Sequence, residues 1–205
     1  MIELCDVHKF YGAIQVLSGV NIQVCEGECL AVIGKSGTGK TTLLKIIGTL
    51  AMPNRGMVKI CGVDVTKAKH KELVSIRRSI GFSFQQPLLL PYMTVLENVM
   101  LTSNMDKKEV IKILNFIGLG ERINHKPAKL SEGEKKRADL ARALAKKPRI
   151  LITDEPFSNL DSERIEKVSK LINDFLKKEC TIIVSSTSEV KSLNITHTFR
   201  LNKNQ

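Results

Sequence analysis

The chain has 205 residues, 32 Lys and Arg against 21 Asp and Glu, a formal net charge of +11, and 42% hydrophobic with 26% charged residues. That balance excludes wholesale disorder and fits one domain, or two closely packed subdomains, around a sizeable core. No window approaches the roughly 18 apolar residues of a membrane span. With two Tyr, seven Phe and no Trp there is no stacking platform for bases, so the basic charge does not predict nucleic-acid binding.

The opening MIELCDVHKFYG reads as a strand and lacks the basic, apolar and small-residue order of a secretory signal, which predicts a cytosolic location. Five cysteines (Cys5, Cys25, Cys29, Cys61, Cys180) are odd in number and have no second Cys or His cluster, which predicts reduced, buried thiols. Further along, ECLAVIG, MVKICG, SIGFSF, RILITD and CTIIVSS are short apolar runs ending in Gly, Asp or Ser, as strands do. Between them TTLLKIIGTL, LVSIRRS, KKEVIKILNFI, EGEKKRADLARALAK and SERIEKVSKLINDFLKK repeat apolar residues at intervals of three and four, as helices do. Apolar strands alternating with helices predict an α/β fold with a mainly parallel sheet. Residues 86–147 contain no convincing strand and are read as a helical subdomain inserted between 1–85 and 148–205 of a single domain.

Two stretches carry chemistry. GKSGTGKT satisfies the phosphate-loop pattern from Gly34 through Lys35, Ser36, Gly37, Thr38 and Gly39 to Lys40 and Thr41, with Thr42 next; it follows an apolar strand and opens a helix. Its glycines let successive amides face one anion at a helix N-terminus. Lys40 then neutralises the β- and γ-phosphates, and Thr41 offers a hydroxyl to Mg²⁺. RILITDEP ends a buried strand in two acids: Asp154 is a candidate for the Mg²⁺ shell and Glu155 for the base that polarises an in-line water. A nucleoside triphosphate with Mg²⁺ follows.

LSEGEKKRADLARAL, Leu130 to Leu144, resembles the LSGGQ signature of ATP-binding cassette (ABC) proteins. FSFQQ with Gln85 resembles the Q-loop, SNLD with Asp161 the D-loop, and Tyr11 stands where the family has an adenine-stacking aromatic. Five motifs in order cover nearly the whole chain. The resemblance implies a P-loop NTPase of ABC type, with an antiparallel β region beside the parallel sheet. It also implies a head-to-tail dimer with a second cassette, identical or different, in which each ATP lies between one chain's loop and the other's Ser131 and Gly133. Gln85 then senses the γ-phosphate and Mg²⁺. RRSIGFSFQQPLLLPYMTVLENV is most similar to the lipoprotein-release, macrolide-export and FtsE-like cassettes. This implies an integral membrane permease as partner, docked near PLLLPYM, and a peripheral place on the inner face of the membrane. The alternatives are a soluble ABC ATPase of iron–sulfur scaffold assembly and an ATP-gated switch with little turnover.

Two departures from the family pattern stand out. Where the family places a switch histidine after a strand like TIIV, this chain reads SSTSE, with Thr187 at that position. A threonine can make a hydrogen bond but cannot carry a positive charge or span the same gap, so slow hydrolysis is expected. The remaining histidines do not replace it: His197 reads as part of a last strand, and His8, His70 and His125 as surface residues. The signature has Glu132 and Glu134 in place of Gly and Gln, with Glu132 expected to point outward.

Overall fold

The structure, a computed structural model, describes residues 1–202. In chain order its elements are β1 (Ile2–Tyr11), β2 (Ile14–Val24), β3 (Cys29–Ile33), α1 (Lys40–Ile47), β4 (Arg55–Ile60), β5 (Val63–Asp64), α2 (His70–Ser79) and β6 (Ile80–Ser83). There follow α3 (Val95–Met100), α4 (Lys107–Phe116), α5 (Glu132–Ala145), β7 (Ile150–Asp154), α6 (Ser162–Leu176), β8 (Thr181–Ser186) and β9 (His197–Arg200).

The strands with no polar face occupy the centre of one sheet. β3, β7 and β8 form the middle of a five-stranded parallel sheet of order β6-β7-β8-β3-β9. Their side chains alternate between two cores, as the period of two requires. Leu30, Val32, Ile150, Ile152 and Ile183 face α1 and the antiparallel sheet, while Ala31, Ile33, Leu151, Ile182 and Val184 face α3, α5 and α6. Each face is therefore covered, which is why these strands read as unbroken apolar runs.

The other sheet is antiparallel, of order β2-β1-β4-β5. MVKICG belongs here and not to the parallel sheet. β4 alternates buried Val58 and Ile60 with more exposed residues, because its outer face meets water. Residues 84–149 contain no strand. Helices α3, α4 and α5 pack into the same core as Leu151, Ile182 and Val184, through Val95, Val99, Val110, Leu114, Leu140 and Leu144. Two histidines expected at the surface are half-buried: His8 sits 2.9 Å from the Asp6 carboxylate, and His125 has a buried Nδ1 without a partner among the described residues. His197 does lie in a last strand, and its ring pairs with Glu28 at 3.2 Å.

Candidate functional site

The strand order places the chemistry. β8 lies between β7 and β3, so the C-terminal ends of three neighbouring strands meet at one edge, where ligands of open α/β sheets bind. In register, Ile33 is level with Ser186, and Asp154 with Ser185.

Gly34 to Gly39 connect β3 to α1 as a loop. Gly39 has φ 102°, a left-handed conformation, and an added Cβ would press on Val16 Cγ1 at 2.9 Å, so only glycine fits. At Gly34 a Cβ would collide with the Leu201 carbonyl and the Thr38 hydroxyl. Thr38 is buried, and its hydroxyl donates to the Lys35 carbonyl at 2.9 Å, which tightens the loop. Among the described residues the backbone N–H groups of Ser36, Gly37 and Gly39 have no backbone acceptor, so they can serve an anion. The Lys40 ammonium, 5% exposed, donates to Gly34 O at 2.8 Å and Lys35 O at 3.1 Å and lies 3.4 Å from Glu155. A cation held across the loop mouth, beside free amides, is suited to polyphosphate.

From the neighbouring strand, Asp154 is buried and accepts two hydroxyls: Thr41 Oγ1 at 2.6 Å and Ser185 Oγ at 2.5 Å. The Thr41–Asp154 pair offers hard oxygens, the donor set that Mg²⁺ takes when it also keeps waters and substrate phosphates. No group of three or more His, Cys, Asp or Glu that could cage a metal occurs among the described residues. Glu155 follows with φ 51°, a left-handed backbone that costs about 1–3 kcal/mol in a non-glycine residue. Its N–H donates to Ser185 Oγ at 2.9 Å, and its carbonyl accepts from the Ser158 hydroxyl at 3.2 Å. Those bonds hold the strained residue so that its carboxylate faces Lys40 and Gln85, whose Nε2 is 3.5 Å away.

These groups enclose a cleft of about 290 Å³, lined by the loop, by Lys40, Thr41 and Thr42, by Gln85 and Glu155, and by Val16 of β2. A second hollow of about 230 Å³ lies on the other side of Glu155, between Ser158 and the Ser185–Ser188 stretch, and Thr187 is on its wall. The two residues that sequence reasoning links, Glu155 and Thr187, thus share one hollow. Ser131 caps α5 by accepting the Glu134 N–H at 3.2 Å, and Gly133 lies against the Asn159 carbonyl. Neither lines the phosphate cleft. Glu132 is exposed and pairs outward with Lys135 at 2.7 Å. Asp161 caps α6, its Oδ1 accepting the Arg164 N–H at 2.9 Å; that bond, ahead of the Arg164 charge, holds its carboxyl below the usual range. Tyr11 ends β1, half-exposed, with Lys9 Nζ 5.0 Å from its ring and outside the lining of the cleft.

Three residues escape the sequence reading. Ser185 links Asp154 to the Glu155 amide; its signal is a hydroxyl at the end of an apolar strand. Lys136 is buried and donates to Ser158, with burial pushing its pKa down and Glu155 and Asp154 opposing that shift. Asp139 is fully buried and accepts the Phe84 N–H at 2.8 Å. The last two lie within an ordinary charged helix pattern, which gives no sign that they face inward.

A phosphate loop between strand and helix, with an acid-ended strand two places away in a parallel sheet, defines a nucleotide-binding domain of the P-loop NTPase class. The ABC transporter family profile matches residues 17–158. The lipoprotein-releasing system ATP-binding protein LolD of Bacteroides fragilis (strain YCH46) is 44% identical over 182 residues, covering 85% of this chain and 84% of that one. The macrolide export ATP-binding/permease protein MacB of Chlorobaculum tepidum is 35% identical over 195 residues, 90% of this chain and 30% of that one. A dimeric structure of the bacterial ABC transporter cassette MJ0796 superposes with a TM-score of 0.91 at 35% identity, over 99% of this chain and 95% of that one. The same cassette in a post-hydrolysis dimer with ADP and Pi superposes at 0.90 and 33% identity, over 100% and 97%. The chain belongs to the ABC transporter ATP-binding family. Among the described residues no helix is long and apolar enough to cross a membrane.

Proposed function

We propose that this chain is the ATP-hydrolysing subunit of a membrane transport or membrane-remodelling system, working as a head-to-tail dimer on a separate permease from the inner face of the membrane. The observation that carries it is the Thr41–Asp154–Ser185 hydroxyl network set beside Glu155 and Lys40 at the phosphate loop. Names of relatives support the transport part: LolD belongs to a lipoprotein-releasing system, and MacB joins ATP-binding and permease parts in one protein. They favour it over soluble iron–sulfur assembly.

In this reading the core, 1–85 with 148–205, binds and cleaves, and 86–147 carries the signature. The free loop amides and Lys40 take the β- and γ-phosphates, and Tyr11 stacks on the base. Thr41 and Asp154 would hold Mg²⁺, with Gln85 beside it; the ion supplies charge neutralisation at the phosphates when bound. Glu155 accepts the proton of the attacking water. Ser131 and the Gly133 amide, at the start of α5, meet the partner's nucleotide. Asp161 faces the partner across the dimer. A groove of about 240 Å³ with Leu50, Phe82 and Phe84 on its walls and Arg77 and Lys146 on its rim is the surface offered to the permease. The neighbouring PLLLPYM stretch adds exposed Leu88 and Tyr92, while Leu89 packs inward.

Thr187 leaves the hollow beside Glu155 without a cationic switch residue, so turnover is slow. The test compares MgATP hydrolysis by wild type, Thr187→His and Glu155→Gln, with ATP-dependent dimerisation read in the same samples. Histidine is expected to raise turnover about tenfold to a hundredfold, and glutamine to abolish it while trapping a dimer. A wild type that is already fast and indifferent to histidine would remove the slow-turnover reading; a Glu155→Gln protein that never dimerises with ATP would remove the dimer.

A further inference from the structure

Gln85 stands exposed on the segment between β6 and α3, and that segment is gripped from an unexpected direction. The Phe84 N–H donates to Asp139 Oδ2 at 2.8 Å, and the other Asp139 oxygen accepts from Arg142 at 2.5 Å. Arg142 in turn donates to the Leu88 carbonyl. One ion pair on α5 therefore holds both sides of residues 85–87. Beyond it, the Leu90 N–H is fixed to Asn98 of α3 at 2.7 Å.

Stability does not explain this pair. Asp139 is 0% exposed. Its burial pushes the carboxyl up against the pull of Arg142. A buried ion pair seldom holds a fold better than apolar residues of the same volume would. What the pair does supply is a fixed register between the Gln85 segment and α5. That helix runs unbroken from Glu132 to Ala145, and Ser131 at its cap lies about 12 Å from Asp139 along the axis. A displacement of Gln85 is transmitted to Ser131 through one rigid element.

We propose that Asp139 and Arg142 are a positioning pair that couples occupancy of this chain's γ-phosphate site, sensed at Gln85, to the anion site at Ser131 facing the partner's nucleotide. The proposal rests on the head-to-tail reading above.

The experiment uses the full chain carrying Glu155→Gln, so that hydrolysis does not drain the dimer, and reads the ATP concentration for half-maximal dimerisation. Gln85→Ala and the paired change Asp139→Asn with Arg142→Met are each expected to raise that concentration about tenfold. The combination should raise it no further than either alone, because both cut the same connection. MgADP affinity and melting temperature of the paired variant should stay near the parent's, since both charges leave together. Effects that multiply to about a hundredfold, or a paired variant that dimerises like its parent, would overturn the proposal while leaving the dimer intact. A parent that forms no ATP-dependent dimer overturns the functional reading and this proposal with it. Should the paired variant not fold, Asp139→Asn alone keeps the volume and an acceptor for Phe84. A raised ATP requirement that Gln85→Ala does not increase further then supports the coupling, and an unchanged requirement overturns it.

Discussion

Glu134 occupies the signature position where the family pattern has glutamine, and its surroundings explain why a carboxylate serves. Burial pushes its pKa up, but the Ser131 N–H at 2.8 Å, the Arg122 guanidinium at 3.1 Å and the Ser131 hydroxyl outweigh that and hold it below the ordinary 4.5. A carboxyl depressed on folding adds stability above its unfolded pKa and loses it as pH falls through the folded value. Glu134→Gln, which can still cap α5, should therefore cost about 1 kcal/mol at pH 7. The difference should disappear as pH drops below 4.5, followed by thermal melting of both proteins. A difference that stays constant down to about pH 3 would mean Glu134 contributes by shape alone. At this scale the candidate site residues were legible because phosphate and metal chemistry fixes residue type and spacing: Gly39 must be glycine, and Asp154 must follow a buried strand. Ser185, Lys136 and Asp139 were not, because a serine after a strand or a charge on a helix gains meaning only from what it faces.

Helices α3, α4 and α5 each open with the same reciprocal device, Thr94 with Glu97, Asp106 with Glu109 and Ser131 with Glu134. The spacing of cap and third residue is present in the sequence, and it locates α3, which its six-residue length hides from a periodicity reading. What anchors that short helix is tertiary. Asn98 is fully buried; its Oδ1 accepts the Leu90 N–H at 2.7 Å, and its Nδ2 donates to the carbonyls of Leu90, Met93 and Thr94 at 2.9–3.1 Å. Asn98→Ala leaves those groups without their partner and should cost about 2–4 kcal/mol in urea unfolding. A loss under about 0.5 kcal/mol, the size of an ordinary surface substitution, would show that the 88–94 segment holds itself.

Across the molecule, the parallel sheet divides one buried layer from the other, and Cys29 and Cys180 both lie in the layer that α3, α5 and α6 cover. Burial pushes Cys29 and Cys180 up to about 12, whereas Cys25 is exposed. At about pH 8 a thiol reagent should label Cys25 rapidly and reach Cys29 and Cys180 only at the rate of global opening, read residue by residue by mass spectrometry. Labelling of Cys180 as fast as Cys25 would mean the sheet edge opens locally. By itself the sequence determined the α/β class, the phosphate loop, the acid-ended strand and the family, since these rest on local periodicity and on motifs whose spacing the chemistry dictates. Tertiary structure alone decided that MVKICG joins the antiparallel sheet, because strand partners depend on which faces are left to cover. It also decided that β8 lies between β3 and β7, bringing Thr187 to Glu155, and that Asp139 turns inward to hold Phe84. Those are relations between residues far apart in the chain, and a pattern read along one chain carries no term for them.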